Sequence, residues 1–402
     1  MSIILNKKEL LESNPKLRGQ ALEILEAGLE AIDTEKILRQ KVKIEEGIFS
    51  VNEADYDLKS FDKIIFVGIG KCALDGARVI EDLLGDYLTT GIALDVKTPP
   101  TEATETLKKI KYFQGTHPLP SEQNVEATKE VLKMVENLTE KDLVITLISG
   151  GGSSLFELPI DGVSLEDIVE KTKELTAKGA DIYELNTFRK SVSRVKGGKF
   201  AEICHPAPMV SLIFSDVLGN DLSMIASGPT VLDKPTEEVK NILLVSNHDA
   251  LEAMKIKAEE LGFNTKIETE TLSGNATEVG KMLAEKESQP KTCLLFGGET
   301  TVKINESHGI GGRNQEVALS ALSHISGGSV LVAVASDGHD NTDHAGAIAD
   351  EELLEKAKSM GLNPEEFLSR SDSYNFFKKI GGAILTEKLG SNVSDLCILI
   401  YK

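Results

Sequence analysis

Five times along this 402-residue chain, a short apolar run rich in β-branched residues stops in a loop of glycine, serine and acidic residues. Ile64-Ile65-Phe66-Val67 enters Gly68-Ile69-Gly70-Lys71, and Leu143 to Ile148 enters Ser149-Gly150-Gly151-Gly152-Ser153-Ser154. Val210 to Phe214 leads to Ser215-Asp216, and Thr292 to Phe296 leads to Gly297-Gly298-Glu299-Thr300-Thr301. Val330 to Ala335 leads to Ser336-Asp337-Gly338-His339-Asp340. Apolar runs without alternation read as strands covered on both faces, the condition of parallel sheets flanked by helices. Ligands of open α/β sheets bind beyond the carboxyl ends of the strands, where all five loops fall.

Helical spacing fills the intervals. Leu22, Leu25, Leu29 and Ile32 recur at three and four residues, and Ala73 to Leu84 reads as a helix. Ser121 is placed to N-cap a helix carrying Val125, Thr128, Val131, Leu132 and Val135. Ile92 to Val96, Thr265 to Glu268 and Leu396 to Tyr401 complete the expected strands. A chain of this length exceeds one ordinary core. The polar, proline-bearing stretch Val231 to Glu238 sets the expected boundary, with domains at 1–237 and 238–402 and a new α/β series from Ile242.

Hydrophobic residues make up 41% and charged residues 27%, as in soluble globular enzymes. The net charge of −20 disfavours nucleic acid and anionic membranes, so an anion site must be a local basic exception. With no long apolar segment at the start and no run near 18 apolar residues, a cytoplasmic protein is expected. Cys72, Cys204, Cys293 and Cys397 lack Cys-x-x-Cys spacing and read as reduced, buried thiols.

The triple glycine after a buried strand is costly in entropy and adds no packing, but it lets backbone N–H groups approach an anion beside Ser149, Ser153 and Ser154. Gly68-x-Gly70-x-x-Ala73 fits the dinucleotide fingerprint, with Asp95 where a ribose-binding acid would stand. Lys71 within that turn fits direct contact with a substrate charge or phosphate instead, or a solvated helix start. Arg189, Lys190, Arg194, Lys196, Lys199 and His205 form a basic cluster, either an anion site or a solvated face paired with nearby carboxylates. Lys190 and Arg194 are spaced to share one helical face. Arg313 ends the loop Gly309-Ile310-Gly311-Gly312, where a guanidinium suits charge on a transferring phosphoryl group or a loop ion pair. Asp216, Asp221, Glu299, Asp337 and Asp340 are candidates for Mg²⁺ or for the reacting hydroxyl, or are turn residues. His117 is either catalytic or a hydrogen-bonded loop residue.

Taken together, His117-Pro118-Leu119-Pro120, Leu147 to Ser154, Leu185-Asn186-Thr187-Phe188-Arg189-Lys190, Lys196-Gly197-Gly198-Lys199, Ser215 to Asp221 and Ala226-Ser227-Gly228-Pro229-Thr230 resemble the glycerate 2-kinase family. Gly297 to Thr301, Gly311 to Glu316, Ser336-Asp337-Gly338-x-Asp340 and Ala345-Gly346-Ala347 resemble its C-terminal MOFRL domain. The resemblance runs from about residue 60 to the C-terminus. It departs at Gly390-Ser391-Asn392-Val393-Ser394-Asp395, where a Thr-Asn-Val-Asn type of run is expected.

The resemblance implies a Rossmann-like N-terminal α/β/α domain, a smaller α/β C-terminal domain and a site in the cleft between them. It implies ATP- and Mg²⁺-dependent phosphorylation of D-glycerate at its 2-hydroxyl to 2-phosphoglycerate. Separately from the resemblance, a monomer or homodimer is expected. Lys71 and Arg313 match the family's cleft lysine and arginine, and Asp216 joins them as the third catalytic candidate. Ser149, Gly150, Gly151, Gly152, Ser153, Arg189, Lys190 and Lys196 are expected at the substrate or its phosphate. Gly297, Gly298, Glu299, Thr300 and Asn314 are expected at the nucleotide, and Asp337 and Asp340 at the metal. A nicotinamide-dependent hydroxypyruvate reductase and a non-catalytic binder of sugar acids or sugar phosphates remain as alternatives.

Overall fold

The computed structural model describes residues 2–12, 14–96, 106–287, 289–304, 308–325 and 327–402. The chain divides into two compact units, one of residues 34–245 and 390–392, the other of residues 2–33, 246–389 and 393–402.

The first unit begins with a small antiparallel meander, β1 (Val42–Glu45), β2 (Ile48–Val51) and β3 (Ala54–Asp57). Its body is a six-stranded sheet of β4 (Lys63–Ile69), β5 (Thr90–Asp95), β6 (Ile110–Gln114), β7 (Asp142–Ile148), β8 (Met209–Phe214) and β9 (Val239–Val245). All neighbours are parallel, in the order β6-β5-β4-β7-β8-β9. This is the strand order of the doubly wound dinucleotide-binding fold, so the Rossmann-like expectation holds. The order reverses between β4 and β7, and both strands are almost wholly buried, as their unbroken apolar runs require.

The second unit carries β10 (Asn264–Leu272), β11 (Thr292–Gly298), β12 (Ser329–Ala335), β13 (Gly346–Asp350), β14 (Ala383–Ile384) and β15 (Asp395–Tyr401), in the order β10-β11-β15-β12-β13-β14. Among the described residues of this sheet only β10 and β11 are parallel neighbours; β15 runs antiparallel between β11 and β12. Helix Leu17–Ala31 packs here against helix Asn247–Glu260, at a crossing where a side chain on Gly28 would strike Met254. Arg18 adds a buried fork to Asp350, with Nη2 2.7 Å from Oδ1.

The boundary therefore differs from 237. β9 completes the first sheet by pairing with β8, which carries that unit to Val245. Residues 2–33 belong with the later strands because the apolar face of their helix is covered there. Ser121 precedes its helix without capping it by its side chain, which instead donates to Asn124 Oδ1 at 2.8 Å. All four cysteines are buried free thiols, as expected. Among the described residues no helix is long and apolar enough to cross a membrane.

Candidate functional site

At the switch point of the first sheet, the loops after β4 and β7 are laced together by their backbones. Lys71 N–H donates to Gly150 O at 2.9 Å, Ser149 N–H to Ile69 O at 2.9 Å, and Cys72 N–H to Ser149 Oγ at 3.3 Å. Gly70 lies at φ +121°, and any side chain there would collide with Ser149. A methyl group on Gly151, at φ +83°, would lie 3.2 Å from Lys71 Cγ and 3.4 Å from the His117 ring. One on Gly150 would overlap the Asp216 carboxylate and come within 3.3 Å of Asn392 Nδ2. The missing side chains thus let Lys71, His117, Asp216 and Asn392 crowd onto one loop. Among the described residues, the N–H groups of Gly150 and Gly151 donate no hydrogen bond.

Buried Asn124 fixes the neighbouring segment. Its Nδ2 donates to Thr116 O at 2.9 Å and Ser154 O at 2.8 Å, joining the loop that carries His117 to the helix Gly152–Leu155. Ser153 Oγ lies 2.9 Å from Ser227 Oγ, which in turn donates to Asn186 Oδ1 at 2.9 Å. Ala226, Ser227 and Gly228 all have positive φ, so this turn holds two residues in a region that L side chains disfavour.

The dinucleotide fingerprint is present as a fold feature, but its acid faces elsewhere. Asp95 is fully buried at the end of β5; its Oδ2 accepts from Leu74 N–H at 3.0 Å and its Oδ1 from Val96 N–H at 2.6 Å. The carboxylate that would meet a ribose hydroxyl instead caps the helix that would face the pyrophosphate.

The basic cluster separates into structural and accessible parts. Lys196, expected at the substrate, is fully buried; its Nζ binds Glu157 Oε2 at 2.5 Å and Phe156 O at 2.8 Å. Burial pushes its pKa down while Glu157 supports the charge. Lys199 Nζ caps backbone carbonyls, of Lys190 at 2.7 Å and Ser193 at 2.6 Å. Lys190 and Arg194 do not share a helix, since Ile182–Val192 ends before an extended Ser193. Arg189 and Lys190 stay half-buried on that helix, with Arg189 Nη1 3.4 Å from Asn186 Oδ1 and its pKa lowered by burial.

In the second unit, Arg313 opens helix Arg313–Leu322 and is held from two sides. Its Nε donates to Asp395 Oδ2 at 2.6 Å and its Nη2 to Asp395 Oδ1 at 3.0 Å, while Nη1 donates to Glu299 Oε1. Burial works against the guanidinium charge, but Asp395 and Glu299 outweigh it and raise the pKa. Burial pushes the Asp395 carboxyl up to about 7, with Arg313 opposing. A fork with one bond to each oxygen is the geometry that favours the ionised carboxylate.

Other expectations in this unit change. Asp340 is buried and caps the same helix, accepting from Asn314 N–H at 3.1 Å and Gln315 N–H at 2.8 Å. Burial raises its carboxyl. Its carboxylate is spent on capping, and Asn314, buried against it, is turned from solvent. Gly297 and Gly298 are the last residues of β11, where side chains would strike Asn247 and the Leu272 backbone. They serve close packing there, and buried Thr300 has an unpartnered hydroxyl. Asp337 is half-buried, its Oδ1 accepting from His339 N–H at 3.1 Å. Among the described residues, no three His, Cys, Asp or Glu side chains gather as a metal-binding group. Mg²⁺ commonly takes only one or two carboxylates besides water and substrate phosphates. Asp216 and Asp337, singly, fit that pattern.

Sequence reasoning missed Asp395 and Asn392 as site residues, and Glu157, Asn124, Asn186 and Ser227 as supports. The irregular run 390–395 was the one visible signal for the first two.

Comparison with known proteins gives two family matches along the chain. A domain of unknown function, DUF4147, matches residues 20–259, and the MOFRL family matches residues 292–395. D-glycerate 2-kinase of Thermotoga maritima is 36% identical, covering 95% of this chain and 98% of that protein. The crystal structure of glycerate kinase from Thermotoga maritima superposes with a TM-score of 0.82 at 34% identity, over 96% of this chain and all of that one. A putative hydroxypyruvate reductase of Agrobacterium vitis is 32% identical, over 83% of this chain and 98% of that protein.

Proposed function

The chain belongs to the glycerate 2-kinase family, and from that premise we propose that it transfers the terminal phosphoryl group of ATP to the 2-hydroxyl of D-glycerate. A phosphotransferase acting on glycerate is the activity its relatives carry in their names. The donor, the metal and the 2-phosphoglycerate product are parts of our reading.

In this reaction the glycerate hydroxyl oxygen bonds to phosphorus as the bond from phosphorus to the bridging oxygen of ATP breaks. ADP leaves, and the hydroxyl proton passes to a base. Such chemistry depends on positioning and on charge stabilisation. Lys71 and the N–H groups of Gly150 and Gly151 bind the glycerate carboxylate, with Arg189 and Lys190 adding positive charge. Asp216, against the same glycine, receives the hydroxyl proton. Arg313 stabilises the transferring phosphoryl group. Asp337 would hold Mg²⁺, whose charge offsets that of the phosphates.

The observation that carries the reading is the convergence of Lys71 and Asp216 on a glycine loop at the β4–β7 switch point. The buried, capping position of Asp95 weighs against the reductase. Two incubations test both. D-glycerate with ATP and Mg²⁺ should release ADP and give a product whose phosphorus NMR shows coupling to the proton on carbon 2. Hydroxypyruvate with NADH should show no oxidation above background. The opposite pattern overturns the assignment.

A further inference from the structure

Three of the five N–H groups of Arg313 are committed, those of Nε and Nη2 to Asp395 and one on Nη1 to Glu299, so Nη1 already carries a protein anion. If Arg313 acts as proposed above and a phosphoryl oxygen takes a position already filled, a carboxylate must yield, and the two are unequal. The Asp395 side chain is 6% exposed at the start of a strand paired on both sides, and it holds the guanidinium plane through both oxygens. The Glu299 side chain is 43% exposed, just past the end of β11, and binds Arg313 through one oxygen. Releasing Glu299 returns a carboxylate to water; releasing Asp395 would strand one in the interior.

We propose that Glu299 is a placeholder anion on Arg313, occupying the Nη1 edge that a phosphoryl oxygen takes during the reaction, and that Asp395 is the positioning residue that keeps the guanidinium aimed. The phosphoryl donor then binds against a competing carboxylate of the protein itself. Glu299 lowers donor affinity, in contrast to an ordinary nucleotide contact, and its position explains why an acid stands beside an arginine meant for phosphate.

This inference rests on Arg313 acting on the phosphoryl group, and the test separates the two ideas. Glu299→Gln should lower the KM for ATP and the inhibition constant of inorganic phosphate by about two- to fivefold, the range for a partly exposed ion pair. Glu270→Gln, which removes an equal charge on β10 without touching Arg313, should shift neither. Asp395→Asn should lower kcat and should not tighten ATP binding. A KM for ATP that is unchanged or raised in Glu299→Gln overturns the placeholder, as does equal tightening in Glu270→Gln. If a folded Arg313→Ala enzyme keeps near-normal turnover, the reading of Arg313 falls, and the placeholder with it.

Discussion

The two six-stranded sheets put charge to work in opposite ways. In the parallel sheet of β4–β9, every strand ends on one edge, so Gly70-Lys71, Ser149–Ser154 and Ser215-Asp216 meet there without further devices. In the mixed sheet, β15 runs against its neighbours, and its first residue, Asp395, pairs in register with the last residues of β11 and β12, Gly298 and Ala335. A strand start is thereby delivered to an edge of strand ends. The first edge is built on absent side chains and backbone amides; the second on a guanidinium ringed by acids. The difference is between a surface shaped to receive an anion and a cation already restrained by anions.

The contrast breaks most decisively at Arg313. Arg313→Ala should reduce kcat by a factor on the order of a thousand or more, the scale of an arginine acting on a transferring phosphoryl group. Steady-state rates beside a thermal melt check that the loss is chemical. A loss below tenfold would leave the mixed sheet with a structural arginine only.

Lys196 sharpens the comparison from the other side, because it is a cation of the first unit that is fully committed. Lys196→Ala should cost about 3–5 kcal/mol of stability by leaving Glu157 buried and unpaired. The double change Lys196→Met with Glu157→Leu should recover most of it, since an apolar pair of similar volume replaces the ion pair. Urea melts of the three proteins decide the matter; a mild single mutant would mean that Glu157 is less enclosed than it looks.

Gly150→Ala probes the reliance on absent side chains. The added methyl displaces the Asp216 carboxylate, so turnover should fall about a hundredfold for a displacement near 1 Å. Stability should fall by only about 1–3 kcal/mol. Rates that track stability alone would argue against Asp216 as the base.

The smallest effect belongs to an exposed pair. His248 Nδ1 lies 2.7 Å from Glu270 Oε1, which raises the histidine pKa despite partial desolvation. A raised folded pKa stabilises below the unfolded value of about 6.5 and ceases to do so as pH climbs through the folded value. With more than a third of both side chains exposed, screening should limit the difference to a few tenths of a kcal/mol. Glu270→Gln should remove that pH dependence from melts between pH 5 and 8.

The parallel sheet was legible because each strand is a run of apolar residues ending in punctuation, and both periodicity and loop chemistry survive in a single sequence. Lys71, the triple glycine and Asp216 were singled out by that route, and the fold brings them together. Asp395 was not, because looking only past the ends of strands cannot find a residue at the start of one. Lys196 and Asp340 were expected at the site because sequence records charge and not burial: one is buried on Glu157, the other against a helix start. The boundary at 237 fell short since composition turned polar one strand before the sheet was complete. No local pattern marks residues 2–33 as partners of a helix more than 200 residues later.

That last partnership makes the parallel unit an insertion within its companion. Helix Leu17–Ala31 leaves the ribosome before its packing partner Asn247–Glu260, which follows only after the whole of 34–245 has been made. At about 5–20 residues per second, that interval is roughly 10–40 s. Throughout it the apolar face of the first helix has no native cover, while the inserted sheet between has everything it needs to form except residues 390–392. The order of synthesis thus favours the guest folding before its host, and leaves helix Leu17–Ala31 waiting longest for its cover.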